Sequence, residues 1–353
     1  MIPKLVHFIF CVINFYILTF VYASCQNTVQ TDSTSTQYPA IEKGLSINFP
    51  EDHGPHAEYR TEWWYLTANL WDESGNPLGI QWTLFRAALE PKTEKSKWSS
   101  SQIWMGHAAL TSKNLHLVEE KIARDDVLQA GVVTEPFKAW IDDWRLEGAD
   151  WDLLTVSASG KNFKYELELK ATGPIIKHGD DGRSVKSALG QASAYYSQPF
   201  FSVKGWVEQN GQKQFVTGSA WADHEWSSQF LADTQEGWDW FSLNFDTGEK
   251  LMLFQVREKN NNHFYSGTWI SKEGNKQSVD PSQILMSPST EQSTSGYHTS
   301  WTIKIENLSV DIKIHAINSL SLMETIYPYW EGPILIHGSH NGYGYLEMTG
   351  YSN

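Results

Sequence analysis

Two short segments hold the residues best suited to chemistry: Asp223-His224-Glu225-Trp226 in the middle of the chain and Arg60-Thr61-Glu62-Trp63-Trp64-Tyr65 near its start. In both, a carboxylate stands next to an indole, and the middle segment adds a second carboxylate and an imidazole. A buried charge needs a partner and each indole N–H needs an acceptor, so such packing is costly in a purely structural core and marks a site. Proton transfer is the chemistry that fits. Asp223 and Glu225 can raise the pKa of His224 and make it a donor, or His224 can orient one of them.

Strands must position these groups, and their alternation sets which side chains act together. If 60–66 is extended, Arg60, Glu62 and Trp64 share one face, and Thr61, Trp63 and Tyr65 the other. Trp82, Leu84 and Arg86 likewise share a side, bringing a second arginine toward a barrel interior. In the middle segment His224 with Trp226, or Asp223 with Glu225, faces a ligand, because a regular strand points the two pairs apart. Gly237-Trp238-Asp239-Trp240-Phe241 puts two indoles on one face. A plainer account stays open, in which Glu62 pairs with Arg60 or Arg86 as a structural ion pair and the tryptophans fill a barrel.

The rest of the chain reads as strands. Segments 62–70, 79–88, 103–112, 151–158 and 162–171 alternate or run apolar with β-branched and aromatic residues, and so do 238–246, 249–258, 264–271, 300–305, 310–316 and 343–349. Ser74-Gly75-Asn76-Pro77, Gln209-Asn210-Gly211-Gln212 and Asp246-Thr247-Gly248-Glu249 have hairpin-turn chemistry. Polar stretches 91–101, 177–192 and 272–298 read as loops. Many short strands at regular spacing predict sandwiches or barrels, and 353 residues suffice for two, with the seam near 227–237.

Composition agrees. With 41% hydrophobic and 19% charged residues the chain is globular, and 14% aromatic residues, 17 of them Trp, favour aromatic-lined β surfaces. A formal charge of -14 without clustered Lys and Arg argues against nucleic acid as a partner.

Residues 1–25 read as a bacterial export signal: Lys4 supplies the positive region, 5–22 are almost wholly apolar, and Ala23-Ser24 precede Cys25. Cys25 is either a lipidated first mature residue, anchoring the chain to a membrane, or a free thiol after ordinary cleavage. Segment 26–44, rich in Thr, Ser and Gln, reads as a tether. Two folded domains follow, 45–227 and 228–353, and the protein is expected in the periplasm or on the envelope.

Other chemistries lack their signatures. There is no Gly-x-Ser-x-Gly elbow, Walker loop or dinucleotide-binding glycine motif. His53, His56, His107 and His224 offer imidazoles, yet no His-x-x-x-His or Cys-x-x-Cys spacing fixes a metal site, so no metal or cofactor is expected. Asp52-His53-Gly54-Pro55-His56 reads as a turn entering the first strand.

An ordered set of longer motifs resembles the AttH and carotenoid 1,2-hydratase (hydroxyneurosporene synthase) family. These are Phe49-Pro50-Glu51-Asp52-His53-Gly54, Arg60 to Tyr65, Tyr195-Tyr196-Ser197, Asp223-His224-Glu225-Trp226-Ser227, Gly237 to Phe241 and Tyr327-Pro328-Tyr329-Trp330-Glu331-Gly332, within 45–353. The resemblance implies an all-β chain of two consecutive lipocalin-like antiparallel β-barrels. It implies roles from hydration of carotenoid ends to exported proteins working beside an ABC-transporter permease. The family's catalytic His-x-Trp pair falls on His224 and Trp226, whereas its Tyr-x-Asp pair has no counterpart, Trp238 and Asp239 standing nearest. The ligand-facing set then comprises Glu62, Trp64, Arg86, Tyr196, Trp238, Trp240 and Trp330.

Two functional classes follow from these residues. One is a binding protein holding an apolar small molecule for an exporter or envelope process. The other is an enzyme of the hydratase or isomerase type that uses the acid, histidine and tryptophan cluster.

Overall fold

The structure is a computed structural model that describes residues 38–91, 101–124, 129–229, 231–290, 293 and 296–351. The segment 1–25 read as an export signal, with Cys25, most of the segment read as a tether and part of the 91–101 loop lie outside the described residues.

Alternation builds the strands. In Phe163–Ala171, Phe163, Tyr165, Leu167 and Leu169 turn inward while Lys164, Glu166, Glu168 and Lys170 face water. Each apolar side chain so buried contributes about 1.5–3 kcal/mol. Turns obey their chemistry too. Asn210 and Gly211, with φ of 52° and 80°, form the two-residue connection whose twist matches the strands it joins.

The first sheet contains β1 (Thr61–Asp72), β2 (Pro77–Ala88), β3 (Gln102–Ser112), β4 (Leu115–Arg124), β5 (Ala130–Val133), β6 (Phe137–Ile141), β7 (Trp144–Asp150), β8 (Leu153–Ser159), β9 (Phe163–Ala171), the short β10 (Ile176–Lys177) and β11 (Arg183–Val185), β12 (Ala192–Gln209) and β13 (Gln212–Ser227). All pairings are antiparallel, in the order β4-β3-β2-β1-β13-β12-β9-β8-β7-β6-β5, with β10 and β11 on β12. The sheet curls until its ends approach. Gly106 on β3 lies so close to Ile141 and Trp144 that an added Cβ would sit 2.7 Å and 3.3 Å from them, and Lys121 on β4 pairs with Asp142 and Asp143. Trp64, Trp82, Trp144, Tyr165 and Phe137 pack inside this first barrel.

The second sheet contains β14 (Gln235–Phe245), β15 (Lys250–Glu258), β16 (Phe264–Ile270), β17 (Lys276–Ser278), β18 (Ile284–Pro288), β19 (Ser300–Ile305), β20 (Val310–Ala316), β21 (Leu322–Met323), β22 (Tyr329–Gly338) and β23 (Gly342–Met348). Its order is β17-β16-β15-β14-β23-β22-β20-β19-β18, with β21 on β22. Phe241, Leu253, Trp301, Ile312, Trp330 and Leu346 fill its core. The all-β, two-barrel expectation is met.

Several strands escape the sequence reading: β4, β5 to β7, β12, β22 and the short β10, β11, β17, β18 and β21. Of these, β11 lies within 177–192 and β17 and β18 within 272–298, stretches read as loops, where pairing with a neighbouring strand holds short polar segments extended. In β12 the pairing register shifts between Gln198 and Phe201, around Pro199. Proline has no N–H to give the ladder, so the strand bulges there and its alternation is broken.

The middle of β1 and the C-terminal half of β13, 220–227, are buried on both faces, because one face lines the first barrel and the other meets the second. In that seam Tyr65, Tyr195 and Trp221 pack with Trp240, Met252, Phe254 and Tyr345. Hydrogen bonds cross it: the Tyr65 hydroxyl donates to Glu331 at 2.6 Å, Trp240 Nε1 to the Tyr195 hydroxyl at 3.1 Å, and Asn69 Nδ2 to the Gly344 carbonyl at 2.9 Å.

Candidate functional site

Register brings the two acidic-aromatic segments together. β1 pairs with β13 so that Glu62 stands opposite Trp226 and Trp64 opposite His224, and β2 puts Arg86 on the other side of Glu62. Parity then aims Glu62, Trp64, Arg86, His224 and Trp226 into the first barrel. A loop enters the same space. Residues 48–56, with a 3-10 turn at Glu51–His53, run across the barrel end and insert His53 and His56.

Glu62 is the hub. Its side chain is fully buried, and both oxygens are occupied: Oε1 lies 2.7 Å from His56 Nδ1 and 2.9 Å from His224 Nε2, while Oε2 accepts from Arg86 Nε and from the His56 backbone N–H, each at 2.9 Å. Burial alone would raise its pKa. Hydrogen bonds from His224 and His56, and the charges of His224 and Arg86, instead hold it well below the usual carboxylate range. Arg86 spends its other donors on Gln102 Oε1 at 2.6 Å and on the carbonyls of His56 and Tyr59 at 2.8 Å and 3.0 Å.

His56 meets a carboxylate at each ring nitrogen, Glu62 at Nδ1 and Asp52 Oδ1 at Nε2, 3.1 Å away. Burial pulls its pKa down, but the hydrogen bonds and charges of Glu62 and Asp52 outweigh burial and leave it raised. Its ring lies flat on Trp226, with centroids 3.8 Å apart and planes 7° from parallel. Trp64 stacks on His224 at 4.6 Å.

On the far side of His224 the network continues. His224 Nδ1 is 3.0 Å from both the Asp52 carbonyl and the Tyr196 hydroxyl, and that hydroxyl is 2.7 Å from His53 Nδ1. Phe49 and Trp151 sandwich the His53 ring at 4.6 Å and 4.5 Å. Burial, helped by His224, pushes the His53 pKa down to about 3, and burial lowers that of His224 as well. A continuous polar chain therefore runs Asp52, His56, Glu62, His224, Tyr196, His53. It reaches water at its outer end only: the side chains of Asp52 and His56 are 21% and 13% exposed, and those of Glu62 and His224 are sealed.

The predicted site residues separate into three groups. His224, Trp226, Glu62, Trp64, Arg86 and Tyr196 converge as described. Asp223 and Glu225 point the opposite way, into the seam. Asp223 accepts from Tyr195 at 2.7 Å, from Trp221 Nε1 at 2.6 Å and from Ser197, and burial pushes its pKa up to about 7. Glu225 pairs with Lys186 at 2.7 Å and accepts from Ser193. Trp238 and Trp240 also belong to the seam, Trp238 Nε1 donating to Glu347 at 2.6 Å. Trp330 lies in the second barrel's core, its Nε1 on the Ser319 carbonyl. These three indoles do not share a site with Glu62. Arg60 precedes β1, is exposed and sits over the Tyr38 ring, so the arginine partner of Glu62 is Arg86.

Sequence reasoning missed His56, Asp52 and the part played by His53. The 52–56 segment is indeed a turn before β1, but as a plug it carries three polar groups into the barrel end. Two histidines, His53 and His56, close behind the acidic pair Glu51-Asp52 were the signal available.

The comparisons agree with this architecture. The AttH-like family model matches residues 40–351. A crystal structure of an AttH protein from Nitrosomonas europaea is similar at 30% identity and a TM-score of 0.81, covering 89% of this chain and 100% of the other. Kievitone hydratase from Nectria haematococca shares the fold at 14% identity and a TM-score of 0.67, covering 92% and 97%. No curated protein matches the sequence. With a family model spanning almost every described residue and a 30%-identical solved relative covered along its whole length, this chain belongs to the AttH-like family.

Proposed function

We propose that this protein is an acid–base enzyme that adds water to, or removes it from, a carbon–carbon double bond in an apolar compound at the mouth of the first barrel. The observation that carries this reading is the buried Glu62 carboxylate shared between His56 and His224, with an indole stacked on each imidazole. His56 reaches the surface, meets a carboxylate at each ring nitrogen and has its pKa raised by them against burial, so it is the acid that meets substrate. His224, which sequence reasoning offers as a donor alongside Asp223 and Glu225, is sealed. It serves instead to relay protons and position Glu62.

The step balances simply. The His56 proton forms a C–H bond with the alkene, the π pair leaves a carbocation beside Trp226, and the indole face stabilises it. Water then forms the C–O bond, and its surplus proton returns to the histidine and carboxylate chain. Aromatic packing around the histidines suits an apolar substrate: Phe49 and Trp151 flank His53, and Trp226 lies flat on His56. Kievitone hydratase, a relative in fold, is named for this reaction type. The export signal read at 1–25 would place the reaction at the envelope. A carrier serving an ABC-transporter permease is the less favoured reading, because side chains such as Trp82, Trp144 and Tyr165 occupy the barrel interior where a lipocalin-like carrier would hold its ligand.

The test is to incubate the full chain with prenylated and other alkene-bearing lipids in ¹⁸O-labelled water and follow products by mass spectrometry. Label enters product with the native chain, and Glu62→Gln and His56→Gln lower the rate at least about 100-fold, as loss of a general acid does. Intact recovery of every bound compound, without label, would reject the reading.

A further inference from the structure

We infer that His56, Glu62 and His224 form a binding site for one divalent transition-metal ion of the zinc and iron(II) class. The inference rests on the geometry of the cluster and not on the reaction proposed above. His56 Nδ1, Glu62 Oε1 and His224 Nε2 lie within 4.8 Å of one another, the two nitrogens 2.7 Å and 2.9 Å from the same oxygen. Adjacent ligands around an ion with bonds of about 2.0–2.1 Å are spaced on that scale.

The second observation lies behind the imidazoles. A metal-ligating histidine offers a lone pair at one nitrogen and donates its other N–H to a carboxylate or backbone carbonyl, which fixes tautomer and ring plane. Both histidines have that partner, and one residue supplies both: the Asp52 carboxylate faces His56 Nε2 at 3.1 Å, and the Asp52 carbonyl faces His224 Nδ1 at 3.0 Å. Asp52 thus orients the two rings so that their other nitrogens converge on Glu62 Oε1. At that point two imidazole lone pairs and a carboxylate oxygen meet, and positive charge has to lie among them. Protons supply it in the absence of metal; a single dication can replace them.

Arg86 does not block this. It takes Glu62 Oε2 and leaves Oε1 toward the histidines, so the carboxylate can serve the guanidinium and an ion through separate oxygens. Two imidazoles and one carboxylate select against Mg²⁺ and Ca²⁺, which prefer all-oxygen shells, and suit zinc, iron(II) or cobalt(II). The partly exposed His56 edge gives the ion a way in from solvent. With ligands 162 and 6 positions from Glu62, no short spacing motif could have announced the set.

Cobalt(II) is the probe, because its visible d–d bands report coordination without any substrate. The metal-stripped full chain is titrated with Co²⁺, then Zn²⁺ is added in competition, with Mg²⁺ as the control. One equivalent of Co²⁺ should give a visible band that Zn²⁺ displaces and Mg²⁺ leaves alone. His224→Gln should abolish the band, and Asp52→Asn, which touches no ion, should weaken affinity about 10–100-fold. Asp52 sits at the surface, so its variant remains informative if His224→Gln fails to fold, and near-ultraviolet circular dichroism monitors folding of each. A folded native chain that takes up no stoichiometric Co²⁺ or Zn²⁺ overturns the inference, as does a band unchanged in both variants. Uptake of metal without any alkene turnover would support this site and reject the reaction proposed above, so the two claims fail separately.

Discussion

Glu62 and His224 lie 162 residues apart and meet through a 2.9 Å contact, diagonal neighbours on the same face of two antiparallel strands. Neither has any exposed surface. A fully buried carboxylate is tolerable only with compensation on every side, and the cluster supplies Arg86, His56, His224 and a backbone N–H.

That compensation is mutual, which gives a first prediction. Glu62→Gln leaves Arg86 as a buried unpaired cation and should destabilise the fold by about 3–5 kcal/mol in denaturant unfolding. Arg86→Met strands the carboxylate and should cost a similar amount. Combined, the two should cost less than their sum by at least about 1 kcal/mol, since neither charge is then left alone. Strict additivity in the double-mutant cycle would show that the pair is not coupled as drawn.

The seam between the barrels responds to pH. Burial pushes the pKa of Asp223 up to about 7; it does the same for Glu347, and Glu331, cross-strand neighbour of Glu347, is raised well above its usual range by burial and then by the Glu347 charge. Facing Asp223 are Tyr195, Ser197, Trp221, Tyr65 and the charge of Glu225; facing the two glutamates are Trp238, Tyr65 and Tyr329. The only cation among these contacts in the described residues is Lys186, on Glu225. An acid whose pKa is higher in the folded state binds more protons folded than unfolded, so its stabilising effect is full below about pH 4 and is lost as pH rises through about 7. For Asp223 this amounts to about 4 kcal/mol at most. Thermal unfolding from pH 4.5 to 8 should show this component falling with pH, and Asp223→Asn should flatten the slope. An identical slope in the variant would mean that Asp223 is not protonated in the folded protein.

A steric prediction tests the same seam from its other end. Gly79 on β2 lies so near the second barrel that an added Cβ would be 2.3 Å from the Tyr345 hydroxyl and 2.7 Å from Pro333 Cγ. Proline cannot move aside as a flexible chain end can, so Gly79→Ala should destabilise by about 1–3 kcal/mol through overpacking. Differential scanning calorimetry would detect it, and two resolved transitions would show that the barrels had come apart. A native-like single transition would place Gly79 away from the contact.

Much of this protein was legible in its sequence. Alternating apolar and polar residues in segments such as 162–171 specify strands because side chains on a strand point to opposite faces, and Asn210-Gly211 specifies a tight hairpin because both residues accept positive φ. Parity also required His224 and Trp226 to part from Asp223 and Glu225, and they do. Where alternation is interrupted, as around Pro199 in β12, the pattern failed to show the strand.

Tertiary structure decided which pair belongs to which site. Trp226 and Glu62 become neighbours only through the β1–β13 register, a long-range pairing that no local spacing encodes. His56 enters the cluster because the 48–56 segment folds over the barrel end, where Asp52 and Glu62 bind its two nitrogens. Trp238, Trp240 and Trp330 look in sequence like further members of an aromatic site, yet packing sends the first two to the seam and the third to another core. Local chemistry fixed the strands and the pairs of side chains that could act together. Which pairs met, and which charges neutralised one another, depended on how the two sheets curled and docked, because burial and charge pairing are properties of the assembled barrels and not of any one strand.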